Sequence, residues 1–244
     1  MDRPGRARAG RAALGEAARA IHHAALPATL GHDPAEAAGA GQGALAGRDR
    51  GAWLERDYPA VAKRAKAERA VIYWGDETGI SNQDQAGRSY APRGETPVVV
   101  RTAKRITQSM VSAVSNRGLM RFMLYEGALN VERFLAFLRR LAKDAGQKVF
   151  LIVDNPKVHH ATKVKAWVAS HAHEIALFPL PAYAPEHNPD EYLNHALKQA
   201  LRQRPQPDGK DELVRNARSV LRAIQRSPDR VRAYFAAEPV RYAA

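Results

Sequence analysis

The chain has no cysteine, which removes disulfides, thiol catalysis and cysteine-based zinc sites from consideration. It has no apolar run near the roughly 20 residues needed to span a bilayer. The Ala/Arg/Gly-rich start lacks the aliphatic centre of a signal peptide, so the reading is a cytoplasmic protein with no membrane partner. No GxxxxGK phosphate loop is present, and no nucleotide cofactor is implied. Acidic residues are in the minority, with 25 Asp+Glu against 38 Lys+Arg for a net charge of +13. Such an excess favours a polyanionic partner, because Lys and Arg release counterions when they meet phosphate.

Two unequal parts follow from composition. Residues 1–52 are dominated by Ala, Gly and Arg, as in GRARAGRAALGEAARA and AEAAGAGQGALAGRDRGA. A helix from about Arg11 to Ala25 would be marginal without an apolar stripe, and Pro34 to Gly51 reads as low-complexity chain. Residues 53–244 carry the periodic patterns of a folded domain. WLERDYPAVAKRAKAERA reads as a helix entering the strand VIYWGD. PVVVRT, ITQSMVSAVS and LMRFMLYEG read as further strands, the last two joined at Asn116-Arg117-Gly118. Asn130 caps a helix with Val131, Phe134, Leu135, Leu138 and Leu141 on one face, ending near Gly146. KVFLIVDN is a buried strand, VHHATKVKAWVASHA a helix and EIALFPLP a strand. Helices from Asp190 to about Gln203, from Lys210 to Gln225 and at the C-terminus complete the chain. A strand meander followed by helical crossovers gives an α/β fold of ribonuclease-H-like order, a mixed sheet flanked by helices.

Asp76 closes the run Val71–Gly75, and Asp154 closes Val149–Val153. Functional groups in open α/β sheets gather beyond the carboxyl ends of strands. Carboxylate oxygens suit hard divalent cations. The competing reading is that each Asp merely starts a turn or caps a helix. Glu77 would point away from Asp76 if the strand persists. Glu191 sits in PAYAPEHNPDEYLNHALKQAL, where Leu193, Ala196, Leu197, Ala200 and Leu201 form the apolar stripe of a helix. Glu191, Asn194, His195, Lys198 and Arg202 are expected largely on the other side. Asn188 and Glu191 also have the spacing of a capping box, and Asp190 rivals Glu191 as a ligand, so residue spacing leaves that choice open.

The strings YWGDETGI, LIVDNPKVHHATKVKAWV and LFPLPAYAPEHNPDEYLNHALKQAL resemble, in order and spacing, the three blocks of bacterial insertion-sequence transposases of the mariner-related superfamily. The resemblance runs from about Trp53 to the C-terminus. It implies a ribonuclease-H-like domain with a DDE triad of Asp76, Asp154 and Glu191, holding Mg²⁺ or Mn²⁺ as two ions. It further implies a DNA endonuclease and strand-transfer activity on transposon ends and target DNA, performed by a homo-oligomer. This chain departs from the family at Pro156, Ala182, His187 and His195. Relatives also carry an N-terminal helix-turn-helix region, which residues 1–50 do not resemble, so terminal-repeat recognition is expected to be missing.

His159 and His160 open the helix after Asp154, with a phosphate contact or an exposed helix start as equal readings. Asn194, Lys198 and Arg202 are further candidate DNA contacts. His171 and His173 read as a solvated helix end, and Trp74 and Trp167 as core. Two other functions compete: a basic DNA-binding remnant whose triad does not assemble, and a ribonuclease-H-like nuclease acting on RNA–DNA hybrids.

Overall fold

The computed structural model describes residues 51–83, 93, 104–154, 158, 161–181 and 184–244. The expected helix at 11–25, the strand PVVVRT, Pro156, Ala182, His159 and His160 lie outside them. A π-helical turn, Trp53–Asp57, leads into α1 (Tyr58–Ala67). There follow β1 (Val71–Ser81), β2 (Thr107–Val114), β3 (Met120–Tyr125), α2 (Val131–Ala145), β4 (Val149–Val153), α3 (Thr162–Ser170) and β5 (Ile175–Pro179). The chain then continues through α4 (Asp190–Arg202), α5 (Lys210–Gln225) and α6 (Pro228–Ala233).

Five strands form one sheet in the order β3-β2-β1-β4-β5. The β1–β2 and β2–β3 pairs are antiparallel, as a meander dictates. The β1–β4 and β4–β5 pairs are parallel; α2 carries the chain from β3 across to β4, and α3 joins β4 to β5. This is the mixed ribonuclease-H-like arrangement expected above. No described helix is long and apolar enough to cross a membrane.

Strand alternation divides the core into two layers. Trp74, Ile80, Met110, Val114, Phe150 and Ile152 face α1, α4 and α5. Val71, Tyr73, Val111, Ala113, Leu151 and Val153 face α2 and α3. The stripe Phe134, Leu138 and Leu141 on α2 is buried against that second layer, each side chain contributing about 1.5–3 kcal/mol. Asn130 caps α2 by accepting from the Arg133 amide at 2.9 Å, and Gly146 ends it at φ 65°. Trp74 is fully buried as expected, whereas Trp167 is only half-buried.

One strand boundary differs from expectation in a way that shapes the site. Asp76 does not end β1, which runs on to Ser81 because β2 keeps pairing with it from Trp74 to Ser81. On its other side β1 loses its partner at Gly75–Val153, where β4 stops. The overhang of β1 beyond the end of β4 is the floor of a crevice.

Candidate functional site

Asp76 and Asp154 are the first residues past the last paired register of β1 and β4. Even-numbered positions of both strands point toward α4, so the two carboxylates emerge on the same side of the sheet. Gly75, just before Asp76, is the point of closest approach. A Cβ there would meet the Ser112 carbonyl at 3.0 Å and Leu151 Cδ1 at 3.2 Å. Its own carbonyl accepts from Asn188 Nδ2 at 3.2 Å, which fixes the entry of α4 over β1.

The start of α4 is tied down at three points. Besides Asn188, Asn194 Nδ2 donates to Asp76 Oδ2 at 2.8 Å. Ser112 Oγ, on the residue of β2 paired with Asp76, donates to Asp190 Oδ2 at 2.5 Å. The capping-box geometry is replaced: the Asn188 amide donates to the Pro185 carbonyl, and Asn188 Oδ1 accepts from the Asp190 amide at 3.1 Å. Glu191 is exposed, and its charge acts on both the Asp76 and the Asp154 carboxyls.

The electrostatics follow from this crowding. Burial, then the charges of Glu191 and Asp154, push the Asp76 carboxyl up to about 8. Burial, then Glu191 and Glu77, raise that of Asp154, although Asp154 itself reaches solvent. Burial, then Asp76, drive the Asp190 carboxyl well above the ordinary range. Glu77 lies on the opposite face, where its Oε1 accepts from Tyr125 Oη at 2.5 Å and from the Leu129 amide at 3.2 Å. Persistence of β1 sends it there, as alternation requires.

Asp190 is fully buried, and its Oδ1 has no hydrogen-bond partner, so it stands behind the crevice rather than in it. Asn194 is a correction to its expected role as a DNA contact: it is 2% exposed and its amide is spent on Asp76. The signal was present in the spacing. Positions 190 and 194 extend the stripe of Leu193, Leu197 and Leu201, so polar residues there had to find buried partners. His195 and Arg202 are exposed and Lys198 is half-buried on the outer side of α4. His187 accepts a tie to the C-terminal segment, its carbonyl receiving the Tyr242 hydroxyl at 2.7 Å. Asn188 and Ser112 were not recognised as site residues from sequence, since both act through partners far away in the chain, Gly75 and Asp190.

Oxygen-only donors that repel one another are the chemistry a hard divalent cation relieves. Among the described residues, however, no group of three or more His, Asp or Glu side chains is drawn together tightly enough to hold a metal ion.

Residues 71–214 match the family model for the DDE superfamily endonuclease. No curated protein matches the chain. Among solved structures, the Mos1 mariner paired-end complex with Mn is similar at a TM-score of 0.62 and 16% identity, over 94% of this chain and 68% of that one. The Mos1 strand transfer complex gives 0.56 and 18%, over 92% and 68%. The paired-end complex with Mg gives 0.55 and 18%, over 95% and 70%. At these identities the likeness concerns the fold.

Proposed function

The chain belongs to the DDE superfamily endonuclease family, and from that premise we propose that it is a transposase catalytic domain that cuts and rejoins DNA, with Asp76, Asp154 and Glu191 holding the metal. The observation that carries this reading is the junction of β1 and β4. Two aspartates leave adjacent parallel strands at the same level, and the charge of the α4 glutamate acts on both of them. Each residue has a definable task. Asp76 is fixed by Asn194 through one oxygen, which leaves its carboxyl plane oriented before any cation arrives. Asp154 reaches solvent and so meets an incoming phosphodiester. Glu191 comes from α4, whose attachment to Gly75 and Ser112 sets its height above the strands. Bound as a pair, Mg²⁺ or Mn²⁺ would activate the attacking oxygen and stabilise the leaving one, without a covalent protein intermediate.

Lys198, half-buried, and Arg202, exposed, lie on the outer side of α4 and are assigned in this reading to the phosphate backbone. His159 and His160 follow Asp154 in sequence and belong to the same proposal. The substrates are transposon ends and target DNA, and joining two ends calls for a homo-oligomer on DNA. Nicking of supercoiled plasmid in Mg²⁺ or Mn²⁺ tests the assignment. Asp154→Asn is expected to abolish nicking while DNA binding persists; equal nicking by both proteins refutes it. A second reading, a basic DNA-binding protein without catalysis, is favoured by the absence of a drawn-together acid group among the described residues. DNA binding by the wild type with no nicking in either metal would select it.

A further inference from the structure

The opposite end of the sheet carries the opposite charge. Two clefts of about 570 and 400 Å³ open at the amino-terminal ends of β1, β4 and β5. Arg139, Lys143 and Lys148 line the first, and Lys66, Arg69 and Arg117 the second. Gln147 lines both. In its favoured orientation its amide donates to the Arg69 carbonyl at 3.3 Å and accepts from Arg117 Nη1 at 3.2 Å, so the clefts are physically joined. Six cations thus line two clefts that share Gln147, and together they form a basic band. Among the described residues at this pole, Glu68 pairs with Lys148 of the band and Asp144 with Arg121, while Glu174 lines the first cleft with its carboxylate 3.3 Å from His173 Nε2.

Several cations of the band are held in place. Arg139 lies over the Trp167 ring at 5.9 Å, and His171 stacks on the same ring at 4.3 Å. Trp167, half-buried against the second core layer, is also a platform for these cationic and polar groups. Arg69 is the one described non-glycine residue at positive φ, at 51°. It occupies the left-handed position after α1 where glycine is usual, so an arginine is kept at some conformational cost.

We propose that this band is a second DNA-binding site, which grips the phosphate backbone of a DNA segment other than the one at the carboxylates. Six cations and the amides of Asn116 and Gln147 line it against a single carboxylate, Glu174, and that charge balance suits a polyanion. Arginine forks match phosphate oxygens two at a time. Lys148 and Asp154 lie at opposite ends of β4, about 20 Å apart at roughly 3.3 Å per residue. DNA on the band therefore avoids the repulsion of Asp76, Asp154 and Glu191. The proposal rests on the reading of the protein as a DNA-acting enzyme, but not on its chemistry.

Anisotropy of a labelled 25-base-pair duplex, measured with the full chain without divalent metal across a NaCl series, tests it. The triple variant Arg69→Glu/Arg139→Glu/Lys143→Glu is expected to weaken binding at least 10-fold. It should also flatten the log Kd–log salt slope by about 2–3, at about 0.9 per phosphate contact. A charge-matched reversal at Arg215, Arg218 and Arg222 on α5 should do much less. An equal loss in both triples, or no loss in the first, overturns the band. Arg69→Gly guards against misfolding: it relieves the positive φ, so its Tm should not fall, while the slope still drops by about one contact. An unchanged slope in Arg69→Gly counts against the proposal. Asp154→Asn should lose nicking yet keep the wild-type slope. Nicking retained by Asp154→Asn, with the band variants still weakened, would overturn the catalytic assignment and leave the band standing.

Discussion

The two ends of one sheet have been given opposite chemistry. At the carboxyl ends of β1 and β4, burial and then the charges of neighbouring acids raise the proton affinity of Asp76 and Asp154. At the amino ends, cations gather around Gln147 and Trp167. The acidic end is polar even beneath its surface, where Ser112, Asn188, Asp190 and Asn194 are buried. The basic end is built from exposed or half-buried side chains on helix ends and turns. Buried polar partners fix geometry to fractions of an ångström, whereas exposed cations supply attraction with little positional demand. The contrast fits a molecule that must place a phosphorus atom at one end and merely retain DNA at the other.

The largest effect is expected at the acidic end. Glu191→Gln should lower metal-dependent nicking by about 10³-fold or more, since it removes several kcal/mol of transition-state charge stabilisation. Retained nicking would detach α4 from the chemistry. Asn194→Leu should lower nicking about 10–100-fold by freeing the Asp76 carboxyl, with duplex affinity unchanged. A fall in duplex affinity with nicking of bound DNA intact would return Asn194 to the role of a DNA contact. Gly75→Ala should cost about 1–3 kcal/mol in urea unfolding, because its Cβ meets the Ser112 carbonyl at 3.0 Å. A cost near zero would mean that β1 and β2 yield easily at the crevice floor.

The smallest effect concerns pH. The Asp76 carboxyl moves from an ordinary value of 3.8 to about 8 in the folded, metal-free protein. The folded state therefore holds a proton that the unfolded state has released. Stability is fully present below about pH 4 and declines as pH rises through about 8. Asp76→Asn removes that dependence, so it should raise Tm relative to wild type at pH 9 by an amount worth about 1 kcal/mol, and much less at pH 4. Parallel Tm–pH curves for the two proteins would remove the crowding of charge from the description of this end.

Much of the fold was legible because its signals are local. VFLIV could only be a buried strand, and Asn130 and Gly146 bracket α2 by capping chemistry. The level of Asp76 against Asp154 was also legible, since each follows five mostly apolar residues. The overhang of β1 was not, because its continuation to Ser81 depends on β2, some thirty residues later in the chain. Asn194 was misassigned for a related reason. A helix stripe tells which residues face inward, but the partner of a buried amide, here Asp76, is set by a strand far away in sequence. The burial of Asp190 against Ser112 and the bond of the Asn188 amide to Pro185 in place of a capping Glu191 likewise depend on partners that no spacing within the helix reveals.

Direct titration of Mn²⁺ into the DNA-free protein, followed by the loss of the free-ion paramagnetic resonance signal, is the sharpest test of the carboxylate site. Wild type is expected to bind Mn²⁺, and Asp76→Asn, Asp154→Asn and Glu191→Gln each to weaken that binding at least 10-fold while retaining the wild-type fold by circular dichroism. Unchanged Mn²⁺ binding in all three variants, or none by the wild type with or without DNA, would contradict the assignment of Asp76, Asp154 and Glu191 as a shared metal site.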